Sequence, residues 1–271
     1  ARVFQSGMVL QADREIRIWG SAPAAQEILL EFANHSVSVT AGDDGSWSAV
    51  VPPCASSFQE RQLRVRSGSA VIELDRILIG EVWLCAGQSN MQWPVHQSSN
   101  GRKAMELPLD ESFRLLNFQG RVGGNSGVYG QADFSALRSE VFGQGTWEVA
   151  SPASIKDFSA VGYYFGNEIR SVLKSPVGLI NVASGGTPVE SWVDSKILAG
   201  RTDLKRMVKG NWLDNPILGS WRKSRARGAW RDGLPGVYEM SQNDLGPNHT
   251  FKPGFMFDAT IAPFQPMAIA G

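Results

Sequence analysis

The residues with the most chemistry in this 271-residue chain stand at Gly87-Gln88-Ser89-Asn90-Met91. An apolar run of strand length, Ile77 to Ala86, leads into them and breaks at Gly87. A strand ending in Gly-x-Ser lifts a serine hydroxyl out of the carboxyl end of an α/β sheet. Glycine permits the sharp turn. A serine at the start of the next helix lies among backbone N–H groups that have no partner inside that helix, and these point at an arriving oxyanion. The chemistry on offer is nucleophilic attack on a carbonyl. The same tripeptide also fits an ordinary helix N-cap. A second stretch has matching chemistry. The buried-type strand Val177–Val182 runs into Ala183-Ser184-Gly185-Gly186-Thr187-Pro188. Paired glycines ahead of a Thr-Pro helix start free backbone N–H groups for an anion, although they also make plain turns.

A serine nucleophile needs a base, normally a histidine oriented by a carboxylate. The chain has only His35, His96 and His249. His35 falls in an expected β turn. His96 lies seven residues after Ser89 and, on a helix, would stand roughly 10 Å along the axis. His249 sits in a polar loop with no carboxylate at the usual spacing, so it reads as a surface or supporting group, with the base as the lesser alternative. No His, Cys and Asp cluster has metal-ligand spacing, so no metal or cofactor is expected. Cys54 and Cys85 read as free thiols, with Cys85 buried beside the nucleophile.

The whole string Gly80–Met91, GEVWLCAGQSNM, resembles the first block of the SGNH-type carbohydrate esterases, in particular the sialate O-acetylesterase-like family. That family's nucleophile motif reads G-Q-S-N-M after a G-E-V-W-L-C-type strand. Its G-G-T-P-x-E-A-W block stands here as Gly185–Trp192, with Ser191 where the family commonly has Ala. Met8-Val9-Leu10-Gln11 matches its M-V-L-Q opening, and Phe257–Phe264 is similar to its Y-N-x-M-I-A-P-L helix. The resemblance implies Ser89 as nucleophile and the N–H groups of Ser89 and Gly186 as oxyanion donors, with Gly185 the alternative to Gly186. Gln88, Asn90, Gly185 and Glu190 are candidates for supporting or substrate contacts, with plain structural hydrogen bonding as the other reading. The family's W-x-Q-G-E-x-N and D-x-x-H blocks are not among these residues, so the third donor and the Asp/His pair are expected beyond Gly271.

The resemblance therefore implies an enzyme that removes O-acetyl groups from sugars through an acetyl-enzyme, of sialate O-acetylesterase type and placed outside the cytoplasm. The alternative is a carbohydrate-binding protein without catalysis, or an inactive half that needs a segment carrying the Asp/His pair. The implied partner is an O-acetylated carbohydrate.

These residues need elements to hold them. Residues 1–76 read as short strands between turns: Glu15–Gly20, Glu27–Phe32, Val37–Thr40, Trp47–Val51, Gln62–Arg66 and Ala70–Leu74. This pattern predicts a small antiparallel β-sandwich domain. From 77 to 271 the pattern turns to α/β. The expectation is an SGNH-hydrolase-like three-layer α/β/α domain with a parallel sheet, incomplete at its C-terminal end. Phe113–Phe118 and Thr146–Val149 read as strands, and Arg121–Ser135 as a loop or inserted arm. A helix opens at Asp157–Ala160, capped by Asp157 or Ser159, and ends at Ser175-Pro176. A further helix is expected over Ser195–Asn211. Ala268–Gly271 reads as the lead-in to a strand.

Hydrophobic residues make up 42% of the chain, enough for a substantial core, and Lys+Arg and Asp+Glu balance at 26 each. No global field draws in nucleic acid or an anionic membrane. The one strongly basic stretch, Trp221–Arg231, fits a solvated helix face, a nucleic-acid patch or a contact to an anionic substrate. No nucleic-acid partner and no membrane span are expected.

Overall fold

The computed structural model describes residues 1–108, 110–120, 122–123, 127–230 and 242–271. Strands are β1 (Val9–Gln11), β2 (Ile16–Ser21), β3 (Glu27–Phe32), β4 (His35–Thr40), β5 (Ser46–Val51), β6 (Ser57–Ser67), β7 (Ala70–Cys85), β8 (Asp110–Asn117), β9 (Trp147–Ala150), β10 (Val177–Asn181), β11 (Gln242–Asn243) and β12 (Gly246–Pro247). Helices are α1 (Ser89–Gln92), α2 (Gly101–Ala104), α3 (Gln131–Ala136), α4 (Ser139–Phe142), α5 (Pro152–Lys156), α6 (Ala160–Leu173), α7 (Ser195–Gly200) and α8 (Ser220–Ala229).

The fold is α/β, built on a mixed sheet in the order β4-β3-β6-β7-β10-β8-β9, with β1 also beside β7. The centre is parallel: β10 pairs with β7 through Ile180 opposite Leu84, and with β8 through Ile180 opposite Leu116. A parallel strand between two neighbours must be apolar on both faces, and all five residues of β10 are buried. Residues alternate across this centre. Cys85, Phe113, Leu115, Val177 and Leu179 face Ile155, Phe158 and Tyr163 of the α5–α6 layer. Val82, Leu116, Ile180 and Val182 face the other way, against Met8, Val9, Trp147 and Phe264.

The second cluster does not stop at the parallel strands. It also contains Ile18, Leu30, Phe32, Val51 and Leu63 from the antiparallel strands. The link is β7 itself. Its first half pairs antiparallel with β6, Val65 opposite Ile72, and its second half pairs parallel with β1, Val9 opposite Leu78. Between the halves, Arg76 has φ 59° and the register with β6 shifts between Arg61 and Leu63. Such an irregularity bends a strand and re-aims it. The change of pattern at 76/77 falls on this bend, inside one continuous strand. The β2–β5 pair forms a separate ribbon.

Ser159, not Asp157, caps α6: its hydroxyl accepts from Gly162 N at 3.0 Å, and Lys174 closes the helix in a left-handed conformation before Ser175-Pro176. The helix expected over Ser195–Asn211 is shorter. Asp194 caps α7, which ends at Gly200, and only a 3-10 turn follows at Lys205–Val208. Gly200 and Gly210 cost helix stability at both points. The arm expected over 121–135 holds the start of α3, with Asp133 accepting from Gly130 N at 2.9 Å; residues 121 and 124–126 lie outside the described residues. His35 is the first residue of β4, and the turn before it is Ala33-Asn34, both at positive φ. Phe257–Phe264 forms a π-helical turn followed by a 3-10 turn. Ala270 N donates to Val82 O at 2.7 Å and Leu84 N to Gly271 O at 2.8 Å, so these residues lie along β7 as a strand lead-in would. Among the described residues no helix is long and apolar enough to cross a membrane.

Candidate active site

Ser89 is the first residue of α1, which begins four residues after β7 ends. Gly87 makes the turn at φ +148°. The β7–β10 pairing continues past both strand ends: Val182 N donates to Cys85 O at 3.1 Å, and Ser184 N to Gly87 O at 2.9 Å. These bonds bring the Gly185-Gly186 turn against the serine. A Cβ on Gly185 would stand 3.9 Å from Ser89 Cβ and only 2.8 Å from Gln92 Oε1. Gly186 has φ +78°, a left-handed conformation that costs other residues about 1–2 kcal/mol. The backbone angle therefore favours glycine at 186, while at 185 a side chain would have to displace the Gln92 carboxamide.

The donors converge. Gly186 N (3.1 Å), Ser89 N (3.3 Å) and Ser89 Oγ (3.2 Å) all donate to one oxygen, Gln88 Oε1. Gly185 N donates instead to Gln92 Oε1 at 2.7 Å. Of the two glycines, Gly186 is thus the one whose N–H meets that of Ser89. Sequence reasoning missed Gln92. Its signal was the spacing: Gln88 and Gln92 are four apart, one helical turn. It also missed Asn181, fully buried at the end of β10. Asn181 donates to Asn117 Oδ1 at 2.9 Å and accepts from Ala183 N at 3.1 Å, fixing the start of the glycine turn.

Thr187 Oγ1 donates to Ser184 O at 2.7 Å and accepts from Trp192 Nε1 at 2.9 Å, which closes the turn from below. Ser191, where the family commonly has Ala, is buried and donates to Pro188 O at 2.7 Å, so its extra hydroxyl is satisfied. Glu190 is buried, and its carboxylate pairs with Arg222 on α8. This ties α8 to the glycine turn. Asn90 is exposed on α1. Cys85 is a free, buried thiol pushed up to about 11 by burial, hence inert.

No hydrogen bond joins Ser89 to a histidine among the described residues. His96 lies in a 3-10 turn beyond Pro94, not on a continued α1. Its Nδ1 meets Lys156 O at 3.0 Å and the Asp157 carboxylate at 3.2 Å. His249 is neither a surface group nor a support of the serine. It is fully buried between Tyr129, Trp212 and Phe251, with Nδ1 accepting from Phe251 N at 3.0 Å. Burial first, and the charge of Arg225 second, push it down to about 3, so it stays neutral.

The basic stretch forms α8, with Arg231 outside the described residues. Two of its cations, Arg222 and Lys223, are half-buried, while Arg225 and Arg227 are exposed. Arg222 pairs with Glu190, Lys223 donates to Asn215 O at 2.7 Å, and Arg227 donates to Leu213 O and Asp214. No group of three or more His, Cys, Asp or Glu side chains is gathered for a metal ion among the described residues.

This geometry can hold a tetrahedral oxyanion beside a serine hydroxyl, and comparison with known proteins bears on which reaction uses it. No protein-family model matches the chain. The sialate O-acetylesterase of Homo sapiens is 32% identical over 213 residues, 73% of this chain and 39% of that protein. The sialate O-acetylesterase of Rattus norvegicus is 27% identical over 214 residues, again 73% of this chain and 38% of that protein. The crystal structure of a carbohydrate acetylesterase from Xanthomonas citri superposes with a TM-score of 0.68 at 25% identity, covering 98% of this chain and 48% of that one. The chain thus spans about two fifths of the length of the curated relatives it matches. Over most of its own length, the chain is a relative of the sialate O-acetylesterases.

Proposed function

We propose that the protein carrying this chain is a serine esterase that removes O-acetyl groups from sugars, of sialate O-acetylesterase type. One observation carries the reading: the N–H groups of Ser89 and Gly186 meet at a single oxygen beside the Ser89 hydroxyl. The likeness to sialate O-acetylesterases supplies the substrate class.

In this reading Ser89 Oγ attacks the acetyl carbonyl carbon and its proton passes to a histidine. The carbonyl oxygen becomes an oxyanion between Ser89 N and Gly186 N, each donor contributing about 3 kcal/mol to the barrier reduction. The C–O bond to the sugar breaks, and the sugar oxygen takes the proton. Water then attacks the acetyl-serine, and acetate leaves. His249 is buried and neutral, and His96 is held by Lys156 and Asp157, so we assign the base to a histidine outside these 271 residues. Asn90 remains a candidate substrate contact. Glu190, Gln92 and Gly185 shape the turn behind the hole. Residues 1–76 form the β unit and 77–271 the esterase unit. Acetylated glycans are met mostly outside the cytoplasm, and we place the protein there.

The test is acetate release from O-acetylated sialic acid by the full-length protein and by Ser89→Ala. Loss of at least 1,000-fold is expected, in line with removal of a triad serine. Undiminished turnover in Ser89→Ala would remove the nucleophile assignment. A wild-type protein that binds the sugar without releasing acetate would favour the carbohydrate-binding reading.

A further inference from the structure

Gln88 does something in this structure that no catalytic role explains. Its carboxamide oxygen sits where the oxyanion would sit, accepting from Gly186 N at 3.1 Å and Ser89 N at 3.3 Å. The orientation of the amide follows from its partners. Two N–H donors face it, so the oxygen and not the NH2 must point inward. The same oxygen accepts the Ser89 hydroxyl proton at 3.2 Å, which turns that proton away from any base. An acyl substrate cannot place its carbonyl oxygen there while Gln88 does. The obstacle is movable: Gln88 is exposed, at the N-cap of α1, and its side chain can rotate into solvent without opening the core.

We propose that Gln88 is a built-in plug of the oxyanion hole, holding its two N–H donors paired and releasing them when an acetyl carbonyl competes for them. The plug keeps two backbone donors paired and the serine proton engaged until a better acceptor arrives. Gln92, one helical turn further on, accepts from Gly185 N and leaves the two donors of the hole to Gln88. This rests on the reading of Ser89 and Gly186 as the reacting centre.

Competition by a side chain lowers apparent affinity by the fraction of open sites, so a site open one time in ten loses about tenfold. The experiment is steady-state kinetics of the full-length protein on 4-nitrophenyl acetate, with Gln88→Ala, Gln88→Glu and Ser89→Ala side by side. In Gln88→Ala, KM is expected to fall about tenfold while kcat holds, so kcat/KM rises. In Gln88→Glu a full negative charge would occupy the hole, and kcat/KM is expected to fall more than tenfold at neutral pH. A Gln88→Ala enzyme with lower kcat and unchanged KM would overturn the plug and make Gln88 a donor to the transition state. Kinetics identical to wild type in Gln88→Ala would overturn it as well. Ser89→Ala separates the two levels. If it keeps full turnover, the reading of the site fails. If it is dead and the Gln88 variants behave otherwise than expected, only the plug fails.

Discussion

At the scale of single residues, two glycines and two glutamines decide what the serine can do. At Gly185 an added Cβ meets one close atom, Gln92 Oε1 at 2.8 Å, and the Ser89 atoms at 3.8 and 3.9 Å. Gly185→Ala must push Gln92 aside or move the turn away from Ser89, and a displacement near 1 Å at a reacting centre costs about 100-fold. A loss of that order in kcat/KM, with an unchanged melting temperature, is the expected result. Unchanged kcat/KM would mean that the turn does not position the donors. Much of this was legible in the sequence. The string from Gly80 to Met91 marked Ser89, and the paired glycines marked the opposing turn. The resemblance put Gly186 ahead of Gly185, but the residues alone left the two open, because the choice depends on which N–H points towards Ser89 and which at Gln92. Nor was the environment of His249. A histidine between Asn248 and Thr250 reads as a polar loop, yet aromatic rings from distant parts of the chain enclose it.

Among the elements, α6 shows how a helix holds a site it does not enter. Ser159 caps it, and the same hydroxyl donates to Met91 Sδ at 3.3 Å. The neighbouring backbone pairs with the segment after the nucleophile, Ala160 N to Trp93 O at 2.8 Å and Val95 N to Phe158 O at 3.0 Å. The cap of α6 and the exit of α1 are thus one junction. Ser159→Ala is expected to cost about 1–2 kcal/mol, read as a lower urea midpoint with an unchanged slope. Ser159→Thr, which keeps the oxygen, should recover part of it. The start and end of α6 were readable from Ser159 and Ser175-Pro176, since capping and proline effects are local. The short α7 was misjudged as a longer helix because apolar spacing continued past Gly200. Near α8, Lys252 shows a third kind of anchor. Its buried ammonium donates to Asn243 Oδ1 at 2.5 Å, Gly246 O at 2.6 Å and Asn248 Oδ1 at 2.9 Å, pinning the β11–β12 hairpin. Burial pushes that lysine down to about 7, with the charges of Asp258 and Asp244 pulling the other way.

For the whole molecule, the readable and the unreadable divide at β7. Composition separated a β-rich start from an α/β remainder, and both patterns are present. That one strand runs through residue 76 could not be read, because Ala70–Leu74 reads as the last short strand of the β-rich start and Ile77–Ala86 as a new run. The shared core also makes stability a global property, and His249 reports on it. Its folded pKa is about 3 against an ordinary 6.5. Above pH 6.5 it is neutral folded or unfolded. As pH falls from 6.5 towards 3, only the unfolded chain takes up the proton, so stability drops by up to about 1.4 kcal/mol per pH unit. His249→Asn keeps an acceptor for Phe251 N and removes the titration. Its melting temperature is expected to fall less steeply than that of the wild type between pH 6 and pH 4, and parallel slopes would refute the assignment. β7 carries a consequence for the ancestry of such chains. An insertable module ends in a linker, so it can be gained, lost or exchanged by recombination at that linker. Here the seam is a strand whose far end leads into Ser89, and β1 flanks it at Leu78–Gly80. A crossover at residue 76 would cut the beam that carries Ser89. The residues on either side of 76 are therefore joined through a shared strand and not through a linker.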